Sequence, residues 1–139
     1  MVKVYHIFSM FPTLPFAVYK PSGISSYDVI RRLKKKFPGE KIGHGGTLDP
    51  FAEGVLVIGV GRSATKQLGF FLNHSRKTYR ATLRLGAVST TDDTEGRVIM
   101  CCGALFPTYE RVCGVVANFQ GDSVQTPPRF SALKINGER

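Results

Sequence analysis

Gly43-His44-Gly45-Gly46-Thr47-Leu48-Asp49-Pro50, followed after three residues by Gly54-Val55-Leu56-Val57-Ile58-Gly59-Val60, is the stretch that decides how this chain reads. Three glycines, an imidazole and a carboxylate stand between apolar runs, so the first part reads as a shaped loop. Glycine permits positive φ or close backbone approach, and Pro50 fixes the exit directly after the carboxylate. The apolar run behind it reads as a buried strand that ties the loop to a core. Two readings of Asp49 stand side by side. A carboxylate on a stiff loop suits catalysis, whereas an aspartate before proline also starts ordinary turns by bonding its own backbone.

Upstream, Phe16-Ala17-Val18-Tyr19 is a short strand closed by Lys20-Pro21 and the Ser22-Gly23 turn. Ser25-Ser26-Tyr27-Asp28 is a capping-box pattern that opens a helix, with Val29, Ile30, Leu33 and Phe37 at helical spacing until Pro38-Gly39. The outer face of that helix carries Arg31, Arg32, Lys34, Lys35 and Lys36, either a solvated face or a surface that tracks a phosphate backbone. Downstream, Thr65 to Leu72 reads as a helix with Leu68, Phe71 and Leu72 inward. Lys77 to Gly86 alternates Tyr79, Ala81, Leu83 and Leu85 against Arg80 and Arg84, the pattern of a half-buried antiparallel strand. Tyr79, at the end of its apolar face, is placed to stack on a base or to sit in a core with a bonded hydroxyl.

Ser89 to Gly96 is an acidic loop in a basic protein, and Val98-Ile99-Met100 resumes the sheet. Local capping is the expectation for Asp92, and the role of Asp93 stays open. Thr108 to Phe119 reads as a last helix with Val112, Val115, Val116 and Phe119 inward, stopped by Gly121.

Composition narrows the class. The 139 residues, 42% of them hydrophobic, fit one domain with a real core and argue against general disorder. Nineteen Lys and Arg against ten Asp and Glu give a net charge of +9, which points to a polyanion, with nucleic acid first. Cys101, Cys102 and Cys113 have no C-x-x-C spacing, so neither a disulfide framework nor a zinc site is indicated. An intracellular, cytoplasmic setting is expected, with a nuclear or organellar one left open. Pro12 and Pro15 interrupt the apolar N-terminal residues, so no membrane span is expected there. The chain breaks off two residues after the Asn136-Gly137 turn signal, from which a C-terminally truncated chain is expected.

Taken in order, Tyr19 to Ser26, Ile42 to Pro50, Gly54-Val55-Leu56, Lys77-Thr78-Tyr79-Arg80, Arg84-Leu85-Gly86 and Pro127-Pro128-x-Phe-Ser-Ala-Leu-Lys resemble the TruB-type tRNA pseudouridine synthases. The resemblance runs from about Phe16 to the last residue. It implies residues 1–15 as an N-terminal extension and 16–139 as a partial catalytic domain, an α/β (α+β) fold with a mixed, largely antiparallel sheet and packed helices.

The implied activity is isomerisation of one uridine in the T arm of tRNA to pseudouridine, with tRNA as partner and no metal or organic cofactor. Asp49 falls at the family's catalytic aspartate, Tyr79 at the tyrosine that stacks on the uracil, and His44 at the histidine near the extruded base. Asp93 falls at an acid that pairs with an active-site arginine. RNA contacts are expected from His44, Gly45, Gly46 and Thr47, from Arg31, Arg32 and Lys35, and from Lys20, Arg80 and Lys134. The family's further Gly-x-Tyr-(Ile/Val)-Arg segment, whose arginine pairs with the catalytic aspartate, does not occur in this sequence. An RNA-binding fragment without turnover is therefore the alternative reading.

Overall fold

The computed structural model describes residues 13–101, 103 and 105–127. They belong to two compact units, one through Tyr79 and one from Arg80. In the first, β1 (Phe16–Lys20), α1 (Ser26–Lys36), β2 (Ile42–Gly45), β3 (Gly54–Val60) and α2 (Gly61–His74) follow in chain order. The sheet is β1-β3-β2, antiparallel throughout, with Val18 opposite Leu56 and Gly43 opposite Gly59. The sequence's apolar run is thus the central strand.

Alternation along β3 assigns its two faces. Leu56, Ile58 and Val60 join Val18 and the α1 residues Val29, Ile30 and Leu33 in a buried core, with Phe16, Ile24, Phe37 and Ile42 packed against it. Each of these large side chains contributes roughly 1.5–3 kcal/mol when fully buried. α1 forms as the capping box requires. The Ser25 hydroxyl accepts from Asp28 N–H (3.1 Å), and the Asp28 carboxylate accepts from Ser25 N–H (2.8 Å).

The opposite face of β3 receives α2. A Cβ on Gly59 would stand 2.9 Å from backbone atoms of Ala64 and Thr65, and one on Gly43, directly across the ladder, 3.3 Å from the Leu68 side chain. This bare pair lets α2 sit close to the sheet. Two expectations change accordingly. The glycine-rich stretch begins as strand β2, not as loop, because Gly43 and Gly45 serve helix packing. α2 also runs longer than Thr65 to Leu72, and its buried contacts are Ala64 and Leu68, while Phe71 is exposed.

The second unit contains the hairpin β4 (Ala87–Ser89) and β5 (Val98–Met100), and α3 (Tyr109–Ala117) capped by Thr108. The strand expected over Lys77 to Gly86 does not form. Its alternation specifies one face to cover and one ladder to join, and no described strand pairs with it, so Tyr79 and Leu83 are 72% and 82% exposed. The inward face expected of α3 is likewise uncovered: Val112 is half-buried, and Val115, Val116 and Phe119 are exposed. A mixture of helices and antiparallel sheet, as expected, is the architecture of the chain.

Candidate active site

Asp49 lies in the connection from β2 to β3, and the segment between β1 and α1 holds that connection residue by residue. Ser26 Oγ accepts from Leu48 N–H (2.9 Å) and donates to the Leu48 carbonyl (3.0 Å). Gly23 N–H donates to the Pro50 carbonyl (2.8 Å), with Gly23 at φ +85°, and Ser22 Oγ donates to the Phe51 carbonyl (2.8 Å). Tyr19 Oη donates to Glu53 Oε2 (2.6 Å), an acceptor that holds the phenol proton and raises the tyrosine above its ordinary pKa. Within the connection, Ala52 N–H bonds the Asp49 carbonyl (3.1 Å), a β-turn with Pro50 in its second position.

The backbone makes that turn without help from the side chain. Asp49 is exposed, and among the described residues its carboxylate has no hydrogen bond or ion pair. A turn-starting aspartate would spend its carboxylate on nearby N–H groups. Here the neighbours are fixed and the acid is presented outward.

Lys20 requires a correction. It was expected to contact RNA, yet it is fully buried, with Nζ donating to the carbonyls of Ile24 (2.7 Å), Pro21 (3.0 Å) and Pro50 (3.3 Å). An ammonium has three protons and no acceptor, so these bonds use its whole capacity. Its work is to join the β1–α1 turn to the Asp49 loop.

His44, in β2, pairs across the ladder with Ile58, and its Nδ1 hydrogen-bonds the Gly46 carbonyl. A carbonyl only accepts, so Nδ1 carries a proton, and in the neutral ring Nε2 is left as the acceptor. Gly46 turns the chain at φ +80° and is exposed, as is Thr47. Gly45, expected to admit RNA, is turned toward α2 instead: a Cβ there would stand 3.5 Å from the Leu68 and Leu72 side chains.

On α1, Arg31, Arg32 and Lys35 line one shallow depression of about 350 Å³ with Ile24 and Asp28. Arg31 is ion-paired to Asp28. That guanidinium, with the Ser25 hydroxyl and N–H, holds the Asp28 carboxyl well below the usual carboxylate range. Arg32 and Lys35 are exposed, and no described acidic group pairs with them.

Tyr79 ends the first unit outside helix and strand, without a ring contact or hydrogen bond among the described residues. Arg80 and Asp93 belong to the second unit, and Lys134 lies outside the described residues, as do Phe130 to Leu133 and Asn136-Gly137. Asp93, whose role was open, does the capping expected of Asp92: it accepts from Thr91 Oγ1 and from Glu95 N–H (2.9 Å), which lower its pKa. Asp92 takes the left-handed turn position at φ +61°.

Sequence reasoning overlooked Ser26 as a loop ligand, seeing only part of a capping box. The immediate repeat Ser25-Ser26 was the available signal, one hydroxyl more than the cap consumes. Among the described residues, no helix is long and apolar enough to cross a membrane, and no group of three or more His, Cys, Asp or Glu is placed to hold a metal ion.

The first unit thus holds an outward carboxylate on a clamped loop together with a helix that carries exposed Arg32 and Lys35. The model of the TruB family pseudouridylate synthases (N-terminal domain) matches residues 34–139, and the chain belongs to that family. It is 45% identical over 125 residues to tRNA pseudouridine synthase B of Corynebacterium glutamicum, covering 88% of this chain and 40% of that protein. It is 48% identical over 122 residues to the protein of the same name from Rhodococcus jostii, with 88% and 39% covered. For that of Mycobacterium leprae the identity is 45% over 120 residues, with 86% and 37% covered. The chain spans about 40% of the length of these curated relatives.

Proposed function

We propose that the chain carries the catalytic aspartate of an enzyme that converts one uridine in the T arm of tRNA to pseudouridine. The observation that carries this reading is the state of Asp49: both neighbours and its own carbonyl are hydrogen-bonded, while its carboxylate is committed to nothing among the described residues. A carboxylate with no local duty is equipped to act as a nucleophile or to assist departure of a base.

The target base is stacked in the arm and has to be flipped out, at a cost of a few kcal/mol. Phosphate contacts from Arg32 and Lys35, and stacking on Tyr79, are the means of offsetting that cost. With Asp49 acting on the flipped nucleotide, the bond from N1 to the sugar breaks and the uracil turns. C5 then bonds the sugar carbon in place of N1, C5 releases its proton to water, and N1 takes one up, so the net change is isomerisation.

The test is tritium release from C5-labelled uridine in a T-arm stem-loop, comparing the chain with its Asp49→Ala variant, with RNA affinity measured on both. Release from the parent alone, at similar affinity, supports the reading; equal release from both overturns it. A second reading, RNA binding without turnover, is favoured by one observation: no described cation pairs with Asp49. Its signature is tight, salt-dependent binding with no release from either chain.

A further inference from the structure

We infer that Ser26 is the positioning residue that aims the Asp49 carboxylate, an inference that rests on the catalytic reading of Asp49. Ser26 opens α1, is 3% exposed, and is the only described side chain that bonds the residue directly before Asp49. Its hydroxyl takes both polar groups of Leu48. Those groups belong to different peptide planes: the N–H to the plane shared with Thr47, the carbonyl to the plane that carries the Asp49 nitrogen.

Because each peptide unit is rigid, holding the planes on both sides of Leu48 fixes its φ and ψ together. The orientation of the plane entering Asp49 then follows. What freedom remains at Asp49 is limited by Pro50, which restricts the residue before it, and by the turn bond from Ala52 to the Asp49 carbonyl. Lys20 and Gly23 hold the far side through the Pro50 carbonyl. Ser26 is the counterpart on the near side, and without it the Leu48 N–H and carbonyl both lose their described partner.

The neighbouring hydroxyl provides the control. Ser25 caps the same helix through Asp28, and its hydroxyl hydrogen-bonds no described residue of the loop. Ser25→Ala and Ser26→Ala are thus adjacent, chemically identical deletions with different predicted consequences. Alanine is the best helix former, so α1 tolerates it at the Ser26 position.

The experiment uses the full chain in four versions: parent, Ser25→Ala, Ser26→Ala and Asp49→Ala. Residue-resolved amide hydrogen exchange is read first, then kcat and KM from tritium release on the T-arm stem-loop. In Ser26→Ala the Leu48 amide exchanges about tenfold faster while the β3 amides are unchanged, and kcat falls about a hundredfold at constant KM. Ser25→Ala lowers overall stability but moves neither readout selectively. An unchanged Leu48 amide in Ser26→Ala, or a kcat equal to that of Ser25→Ala, overturns the inference while leaving Asp49 in place. Full release from Asp49→Ala overturns the catalytic reading and this role with it. If the parent releases no tritium, turnover by this chain fails, and the Leu48 exchange alone decides whether Ser26 holds the loop.

Discussion

Through Tyr79, the chain turns its sequence pattern into buried structure: every buried residue among those described lies between Val18 and Leu68. From Arg80 onward the pattern is as clear, yet the corresponding faces are open. Among the described residues, strands β4 and β5 pair only with each other, and α3 buries none of its residues. The difference is one of covering layers. β3 has a strand on each side, buries Leu56, Ile58 and Val60 against α1 on one face, and receives α2 at Gly59 on the other. Periodicity specifies which face needs a partner; a core exists only where another element supplies one.

The same substitution should have opposite signs in the two units. Gly59→Ala pushes a methyl against the α2 backbone at 2.9 Å and should cost about 3 kcal/mol in urea denaturation. Gly114→Ala, in α3 with nothing within 4 Å of the new Cβ, should stabilise that helix by up to about 1 kcal/mol. A destabilising Gly114→Ala would mean that α3 is packed and would remove the contrast.

Two lysines sharpen it within the first unit. Lys20→Met removes the lysine donor from three carbonyls, of which Pro50 keeps Gly23 N–H, and should destabilise by about 2 kcal/mol, leaving the salt dependence of RNA binding unaltered. Lys35→Ala should leave stability within about 0.5 kcal/mol and reduce the slope of log affinity against log salt by about one. Titrations at several salt concentrations, beside thermal melts, distinguish a scaffold lysine from a phosphate contact.

The smallest effect is set by pH. Arg31 and Ser25 hold the Asp28 carboxyl below its value in the unfolded chain, so the unfolded state binds the proton first as pH falls. The stabilisation is complete above the unfolded pKa of about 4 and is lost as pH drops toward the folded value. Melting temperatures of the parent and Asp28→Asn should therefore converge from neutral pH toward pH ~2. A gap that stays constant with pH would show that the carboxylate's charge contributes nothing to holding α1.

What the sequence disclosed follows from the range of the interactions involved. Ser25 and Asp28 are three residues apart, so the capping box was legible, and β3 was legible as an apolar run. Lys20 was not, because its fate depends on a carbonyl thirty residues away at Pro50, and nothing local separates a buried ammonium from a phosphate-binding one. Ser26 meets Leu48 across twenty-two residues, with the same result. Gly43 and Gly45 looked like ligand space because glycine marks close approach without saying what approaches, and α2 does. Lys77 to Gly86 shows the converse: a strand pattern was legible where no described partner strand joins it. Asp49 was found from its setting, but its uncommitted carboxylate is visible only once its neighbours' bonds are known.

The contrast between the two units is tested most directly by residue-resolved amide hydrogen exchange on the intact chain. The slowest amides should lie in β3 and α1, with Leu48 protected beyond its exposed neighbours Thr47 and Asp49, and with α3 and β5 exchanging faster than β3 by at least about tenfold. Equal protection in α3 and β3, or a Leu48 amide as fast as that of Thr47, would contradict a clamped loop on a core confined to the first unit.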